Sequence, residues 1–359
     1  MHLRGLIGQP RAVEALARAS ASGRFHPSLI FHGPPGVGKL TAALALARAI
    51  LCTGEDPPCG TCHACRRIEA RSQRHPDLFV AFPERVEDFR KGEAAEGVSG
   101  IDLQEKQETA AASAALSLLI DRLREAIAFV QRRPVEGACS VLIIDQAHRL
   151  TAEGANALLK TIEEPPAHAV IVLLANSLHA LLPTIRSRCQ AVPFQSLSPG
   201  AIADWLVAER GLPEAEARLR AALADGRIGA AMELDLDAFR GRRDHLLSAL
   251  ESFLRPPDAG RALARAEEIA KGESPEQDLE ILTSLVRDRM IVAQGAGQAR
   301  GLIHGDVVRR LRDLPLEGGR DGTEALVALE GALEGIRRRG NRQLLIENAF
   351  LGFLPPPRG

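Results

Sequence analysis

Residues 28–51 constrain this chain most. Ser28-Leu-Ile-Phe-His32 is a short apolar run with the character of a strand. It leads directly into Gly33-Pro-Pro-Gly36-Val37-Gly38-Lys39, and an Ala- and Leu-rich helical stretch continues to Leu51. Strand, glycine loop and helix in that order make a phosphate cradle. Successive backbone N–H groups and a helix N-terminus face anionic oxygens, and Lys39 reaches toward the outer phosphates.

The next position narrows the chemistry. A phosphate loop of this type asks for Ser or Thr after the lysine, because that hydroxyl coordinates magnesium, and here the residue is Leu40. Thr41 comes one residue late, and about 100° of helical rotation points it elsewhere. Val141-Leu-Ile-Ile-Asp145 reads as a buried strand ending in an acid, the arrangement that holds magnesium at the mouth of a nucleotide site. Gln146 follows, where an ATP-hydrolysing protein of this kind carries a glutamate to activate water, and a neutral amide cannot accept that proton. The candidate nucleotide-binding residues are therefore Gly33, Gly36, Val37, Gly38, Lys39, Leu40, Thr41 and Asp145. Leu40 and Gln146 together predict a nucleotide pocket with slow or absent hydrolysis.

Further apolar runs at Leu78–Phe82, Ala169–Ala175 and Gln190–Phe194 are separated by helical stretches that include 116–131 and 152–163. Strands alternating with helices predict a parallel sheet covered on both faces. The polar stretch between Glu84 and Ser113 reads as an inserted loop. Beyond Pro199-Gly200 no strand pattern remains, and amphipathic helical patterns run to the end. The 359 residues fit two or three domains. The expected parts are an α/β nucleotide-binding domain over 1–196, a small helical lid over 197–240, and an all-helical domain over 241–359.

Cys52, Cys59, Cys62 and Cys65 fall within fourteen residues, among the turn-formers Gly54, Pro57, Pro58 and Gly60. Two-residue separations let sulfurs converge on a tetrahedral ion, and four protein ligands leave no open position, so the expectation is a structural Zn²⁺ site. Cys139 and Cys189 read as small apolar fillers.

Composition excludes other functions. With 45 basic and 46 acidic side chains the formal net charge is -1, which argues against coating nucleic acid through bulk charge. There is no Tyr and aromatics are 3%, so base-stacking platforms are a poor match. No apolar run approaches the about 18 residues of a membrane span, and the first residues alternate in helical polarity, predicting a cytoplasmic protein with no membrane partner.

Several segments together resemble the bacterial DNA polymerase III clamp-loader subunits, of the AAA+ class. They are Ile7-Gly8-Gln9, the phosphate loop, the four-cysteine insertion, Asn156-Ala-Leu-Leu-Lys-Thr-Ile-Glu-Glu-Pro-Pro166, Ile185-Arg-Ser-Arg-Cys189 and Asn341-Arg-Gln-Leu-Leu-Ile-Glu347. The resemblance implies a P-loop AAA+ sheet domain, a helical lid and a helical collar used for oligomerisation. It also implies a hetero-oligomer with gamma or tau and delta subunits, acting on a sliding clamp and primed DNA, with ATP or ADP as the nucleotide. Leu40 and Gln146 favour the catalytically degenerate delta-prime type. So does Gly229, which aligns with a nucleotide-sensing arginine of the motor subunits. The resemblance assigns Arg188 the role of an arginine finger acting in trans on a neighbouring subunit. Arg186 reads as the surface residue making an ordinary ion pair, and Glu163 and Glu164 as a solvated helix end. The alternatives are a gamma/tau-type ATP-hydrolysing motor, a different machine such as a branch-migration helicase or kinase-like P-loop protein, and a zinc-dependent adaptor without nucleotide.

Overall fold

The structure, a computed structural model, describes residues 7–21, 26–69, 75–83, 120–294, 302–315, 322–338 and 340–354. The inserted loop expected between 84 and 113 lies outside them. The chain divides into two compact units, Met1–Met232 and Glu233–Gly359.

The first unit opens with α1 (Pro10–Ala21), β1 (Ser28–His32), α2 (Lys39–Leu51) and α3 (His63–Glu69). It continues with β2 (Leu78–Ala81), α4 (Ile120–Gln131), β3 (Ser140–Ile144), α5 (Ala152–Glu163), β4 (Ala169–Ala175), a four-residue α6 (Pro183–Arg186) and β5 (Gln190–Pro193). The five strands form one sheet in the order β2-β3-β4-β1-β5. Every neighbouring pair is parallel, with Leu29 opposite Val172 and Gln190, and Leu142 opposite Ile171. β1, β3 and β4 alternate between two buried faces. Phe31, Val141, Ile143 and Val172 join one core with Leu40, Leu46 and Ile68. Ile30, Leu142, Ile144 and Ile171 join the other with Leu123, Leu158 and Ile162. Two covered faces explain why these strands read as continuous apolar runs rather than alternating ones.

Three further helices complete the unit: α7 (Pro199–Arg210), α8 (Glu214–Leu223) and α9 (Ile228–Glu233). Ser198 caps α7, its side chain accepting from the Ala201 amide, with Pro199 in the first helical turn. The three close a small core of their own around Leu197, Ile202, Leu206, Ala217, Ala221 and Ala231.

The second unit contains α10 (Leu236–Leu254), α11 (Ala259–Lys271), α12 (Pro275–Ala293), α13 (Val308–Asp313), α14 (Gly322–Arg337) and α15 (Arg342–Leu351). A boundary at 240 falls inside α10. The helix starts earlier because Asp235 caps it, accepting from the amides of Asp237 and Ala238. The core of this unit centres on Leu250, Phe253, Leu282, Leu285, Leu329 and Phe350. Its buried Arg243 is neutralised by Asp244 at 2.9 Å and Asp306 at 2.7 Å. Among the described residues no helix is long and apolar enough to cross a membrane.

Candidate functional site

The carboxyl edge of a parallel sheet, where the strand order reverses, is where such folds bind ligands. Here β1 lies between β4 and β5, with β2, the next strand in the chain, at the far edge, and the glycine loop leaves its carboxyl end. Gly33 has φ 148°, and a Cβ there would lie 2.1 Å from the carbonyl oxygen of Phe194, so only glycine fits. Val37 is buried in the sheet core and anchors the loop. Gly38, with φ 92°, precedes the first residue of α2 and leaves the helix's leading amides at the loop.

Lys39 is 8% exposed, and its Nζ donates to the carbonyl oxygens of Gly33 at 2.7 Å and Pro34 at 2.6 Å. Burial pushes its ammonium down to about 8, against an opposing pull from Asp145. Asp145 follows β3 and is buried. That burial pushes its carboxyl up to about 6, although the Gln146 amide, donating to Oδ1 at 2.9 Å, and the charge of Lys39 act the other way. Gln146 has φ 49°, an uncommon conformation for a residue with a side chain. Leu40 is buried and belongs to the sheet core, whereas Thr41 is exposed. Neither supplies a hydroxyl beside Lys39.

Three residues at this edge were given no role at the site by the sequence reading, although Ile7-Gly8-Gln9 is one of the segments that carry the resemblance. Gln9 is 4% exposed. Its Nε2 donates to the Gln195 carbonyl at 2.6 Å and to the Val37 carbonyl at 3.5 Å, while its Oε1 accepts from the Gln195 amide at 3.0 Å. It ties the start of the unit, the phosphate loop and the exit of β5 together. Asn176, directly after β4, approaches His148 Nε2 at 3.4 Å. Arg227 packs its stem on Gly36: a Cβ on that glycine would lie 3.0 Å from the Arg227 Cβ. Gly229 also reaches the loop, its amide donating to the Gly36 carbonyl at 3.4 Å. The position expected to carry a sensing arginine is therefore at the loop without one, and an arginine two residues earlier lies against the same glycine.

The four cysteines form a second site. Cys52 caps the C-terminus of α2, Cys59 and Cys62 lie in the turns, and Cys65 is buried on α3. That helix was not expected. Its Ala64 and Ile68 enter the sheet core and tie the cysteine module to the fold. The four sulfurs lie within 4.8 Å of one another, close to the about 3.8 Å edge of a tetrahedron of thiolates around an ion. Amides of Gly54 and Cys59 donate to the Cys52 sulfur, that of Cys62 to Cys59, and that of Cys65 to Cys62, at 3.3–3.4 Å. Burial acts to raise the Cys62 thiol, but hydrogen bonds from Cys65 and Thr53 bring it down to about 5. Four converging soft donors, each with a backbone amide against its sulfur, are compatible with a structural metal ion. Of the two remaining cysteines, Cys189 packs against the second sheet core, and burial pushes its thiol up to about 12.

Arg188 lies between α6 and β5, with Ile185 buried beside it. Its Nε is 2.8 Å from Glu163 Oε1, and its Nη1 donates to the Thr184 carbonyl at 3.0 Å and to Ser187 Oγ at 3.2 Å. An ion pair of the ordinary kind read for Arg186 is made instead by Arg188, and its segment's helix α6 packs against α5. Arg186 instead approaches His179 Nδ1 at 3.0 Å.

A family model described as DNA polymerase III, delta subunit matches residues 8–198. The DNA polymerase III subunit delta' of Bacillus subtilis is 29% identical over 351 residues, 96% of this chain and 95% of that protein. The delta' subunit of Pseudomonas aeruginosa is 30% identical over 246 residues, 66% of this chain and 64% of that protein. The DNA polymerase III subunit tau of Salmonella typhimurium is 35% identical over 189 residues, which are 51% of this chain and 24% of that protein. The near-complete alignment is thus with a delta' subunit, and the resemblance to tau covers about half the chain.

Proposed function

Because the chain belongs to the DNA polymerase III delta subunit family, we propose that it serves as a delta-prime-type subunit of a clamp loader, contributing structure and an arginine rather than its own hydrolysis. In this reading it assembles with gamma or tau and delta subunits through the helical second unit, from α10 onward. The helices α7–α9 form the lid beside its nucleotide site. The assembly loads a sliding clamp onto primed DNA.

The observation that carries this reading is the fate of residue 40. The side chain that would hold magnesium is a leucine committed to the sheet core, and the residue after Asp145 is an amide. Gly33, Gly36, Val37, Gly38, Lys39 and Asp145 are the residues that would hold ATP or ADP, with magnesium coordination impaired. Cys52, Cys59, Cys62 and Cys65 would hold one zinc ion in a structural role, stabilising the turn-rich segment between α2 and α3. Arg188 is the finger. A guanidinium beside a transferring phosphoryl group stabilises developing charge and contributes about 10³–10⁵ in rate at the site it serves.

Reconstitution tests this. The chain combined with motor and delta subunits should support clamp- and DNA-dependent ATP hydrolysis, and Arg188→Ala should depress it while the complex still forms. Unchanged hydrolysis removes the finger assignment. The intact loop, with Lys39 and Asp145 at its mouth, favours a second reading as a gamma/tau-type motor. ATP turnover by the isolated chain that is lost in Lys39→Ala would establish that alternative.

A further inference from the structure

The ion pair at the end of α5 has a direction built into it. Glu163 is the last residue of α5, where unsatisfied carbonyls give the helix a partial negative charge and a carboxylate is unfavourable. A cation at that end is favoured, and Arg188 supplies it through Nε at 2.8 Å. The other acceptors come from the finger's own segment: Nη1 donates to the Thr184 carbonyl and Ser187 Oγ, and Ser187 Oγ in turn donates to Thr184 at 3.1 Å. One edge of the guanidinium is thus held by the chain. Among the described residues Nη2 makes no hydrogen bond, and the side chains of Arg188 and Glu163 are 40% and 44% exposed. Both line an open cleft of about 400 Å³ with His26, Pro27, Ile162 and Pro165.

The geometry points to Glu163 as the positioning residue of the arginine finger: its carboxylate pairs with Arg188 at Nε while Thr184 and Ser187 hold Nη1, and Nη2 keeps its donors for a phosphate of the neighbouring subunit. This rests on the finger reading of Arg188. Exposed long side chains lose rotamer freedom when they act, and a guanidinium held beforehand on one edge loses less. Such preorganisation lowers the barrier of the chemical step without strengthening ground-state nucleotide binding.

The test uses the reconstituted complex with clamp and primed DNA, and ATP as the probe. Glu163→Ala is expected to lower clamp-dependent kcat about 3- to 10-fold with KM for ATP changed less than about twofold, and Glu163→Gln, which keeps an acceptor in place, to recover most of the loss. In an Arg188→Ala background, Glu163→Ala should cause no further loss. Glu163 is exposed enough that the unfolding midpoint of the isolated variant should match the parent. An equal loss in both backgrounds, an unchanged kcat, or a raised kcat overturns the positioning role. If Arg188→Ala itself leaves hydrolysis unchanged, the finger reading falls and the positioning role with it. If Arg188→Ala depresses hydrolysis and Glu163→Ala does not, only the positioning role falls.

Discussion

Lys39 turns back on its own loop, with Nζ 2.7 Å from the carbonyl oxygen of Gly33. A nucleotide phosphate must displace that contact and the one to Pro34, so the loop exchanges internal acceptors for external ones instead of adding a contact to a free amine.

Nucleotide binding should be nearly indifferent to magnesium. With Leu40 in the core and Thr41 exposed, no hydroxyl beside Lys39 reaches a metal. The dissociation constant of ATP for the isolated chain is expected to change less than about threefold between excess Mg²⁺ and EDTA, and Lys39→Ala to weaken binding by about tenfold or more. Calorimetry in the two buffers measures both, and a strong magnesium requirement would contradict the role assigned to Leu40.

Asp145 makes stability depend on pH with a defined sign. Its folded value of about 6 lies above the ordinary 3.8, so the folded state binds more protons than the unfolded state between those limits. Its contribution is most favourable below 3.8 and is lost as pH rises through 6. At pH 7–8 the buried carboxylate opposes folding by about 2–3 kcal/mol, since each tenfold change in proton affinity is worth about 1.4 kcal/mol. Asp145→Asn should therefore be more stable than the parent at pH 7.5, with the difference vanishing near pH 4. Urea unfolding of the two proteins at both pH values checks this.

The cysteine module should carry one equivalent of zinc. Chelation, or Cys65→Ser, is expected to lower the melting temperature of the first unit by about 5–10 °C, since α3 docks Ala64 and Ile68 into its core. Gly54→Ala tests the packing of the same site, because a Cβ there would lie 2.8 Å from both Cβ and Sγ of Cys59. That variant should lose metal affinity without losing a ligand. Metal analysis and thermal denaturation read both effects, and full stability after complete chelation would contradict a structural ion.

Gln9 should matter more than its place near the chain start suggests. Gln9→Ala removes two bonds to Gln195 and one to Val37. It leaves the buried Val37 carbonyl and the part-buried backbone groups of Gln195 without these partners, which costs about 1–3 kcal/mol. A lower urea midpoint, together with weaker nucleotide binding, is expected. Loss of stability with unaltered binding would show that Gln9 braces the fold but not the loop.

The strand, glycine loop and helix, the apolar strands and the four cysteines are contiguous patterns, so periodicity and spacing in the sequence were enough to specify them. The missing hydroxyl at Leu40 and the missing acid at Gln146 were readable for the same reason, because each is defined by one neighbour along the chain. Tertiary structure decided what joins distant segments: Gln9 to Gln195, Gly229 and Arg227 to Gly36, and Glu163 to Arg188. It turned Glu163 from a solvated helix end into the partner of the arginine beside β5, and it formed α3 just past the turn-formers at 54–60, where no helix was expected. The physical reason is that a hydrogen bond or ion pair is set by distance in space, which no local pattern encodes. The cost of Asp145 likewise comes from burial, which exists only once the sheet and its covering helices have closed around it.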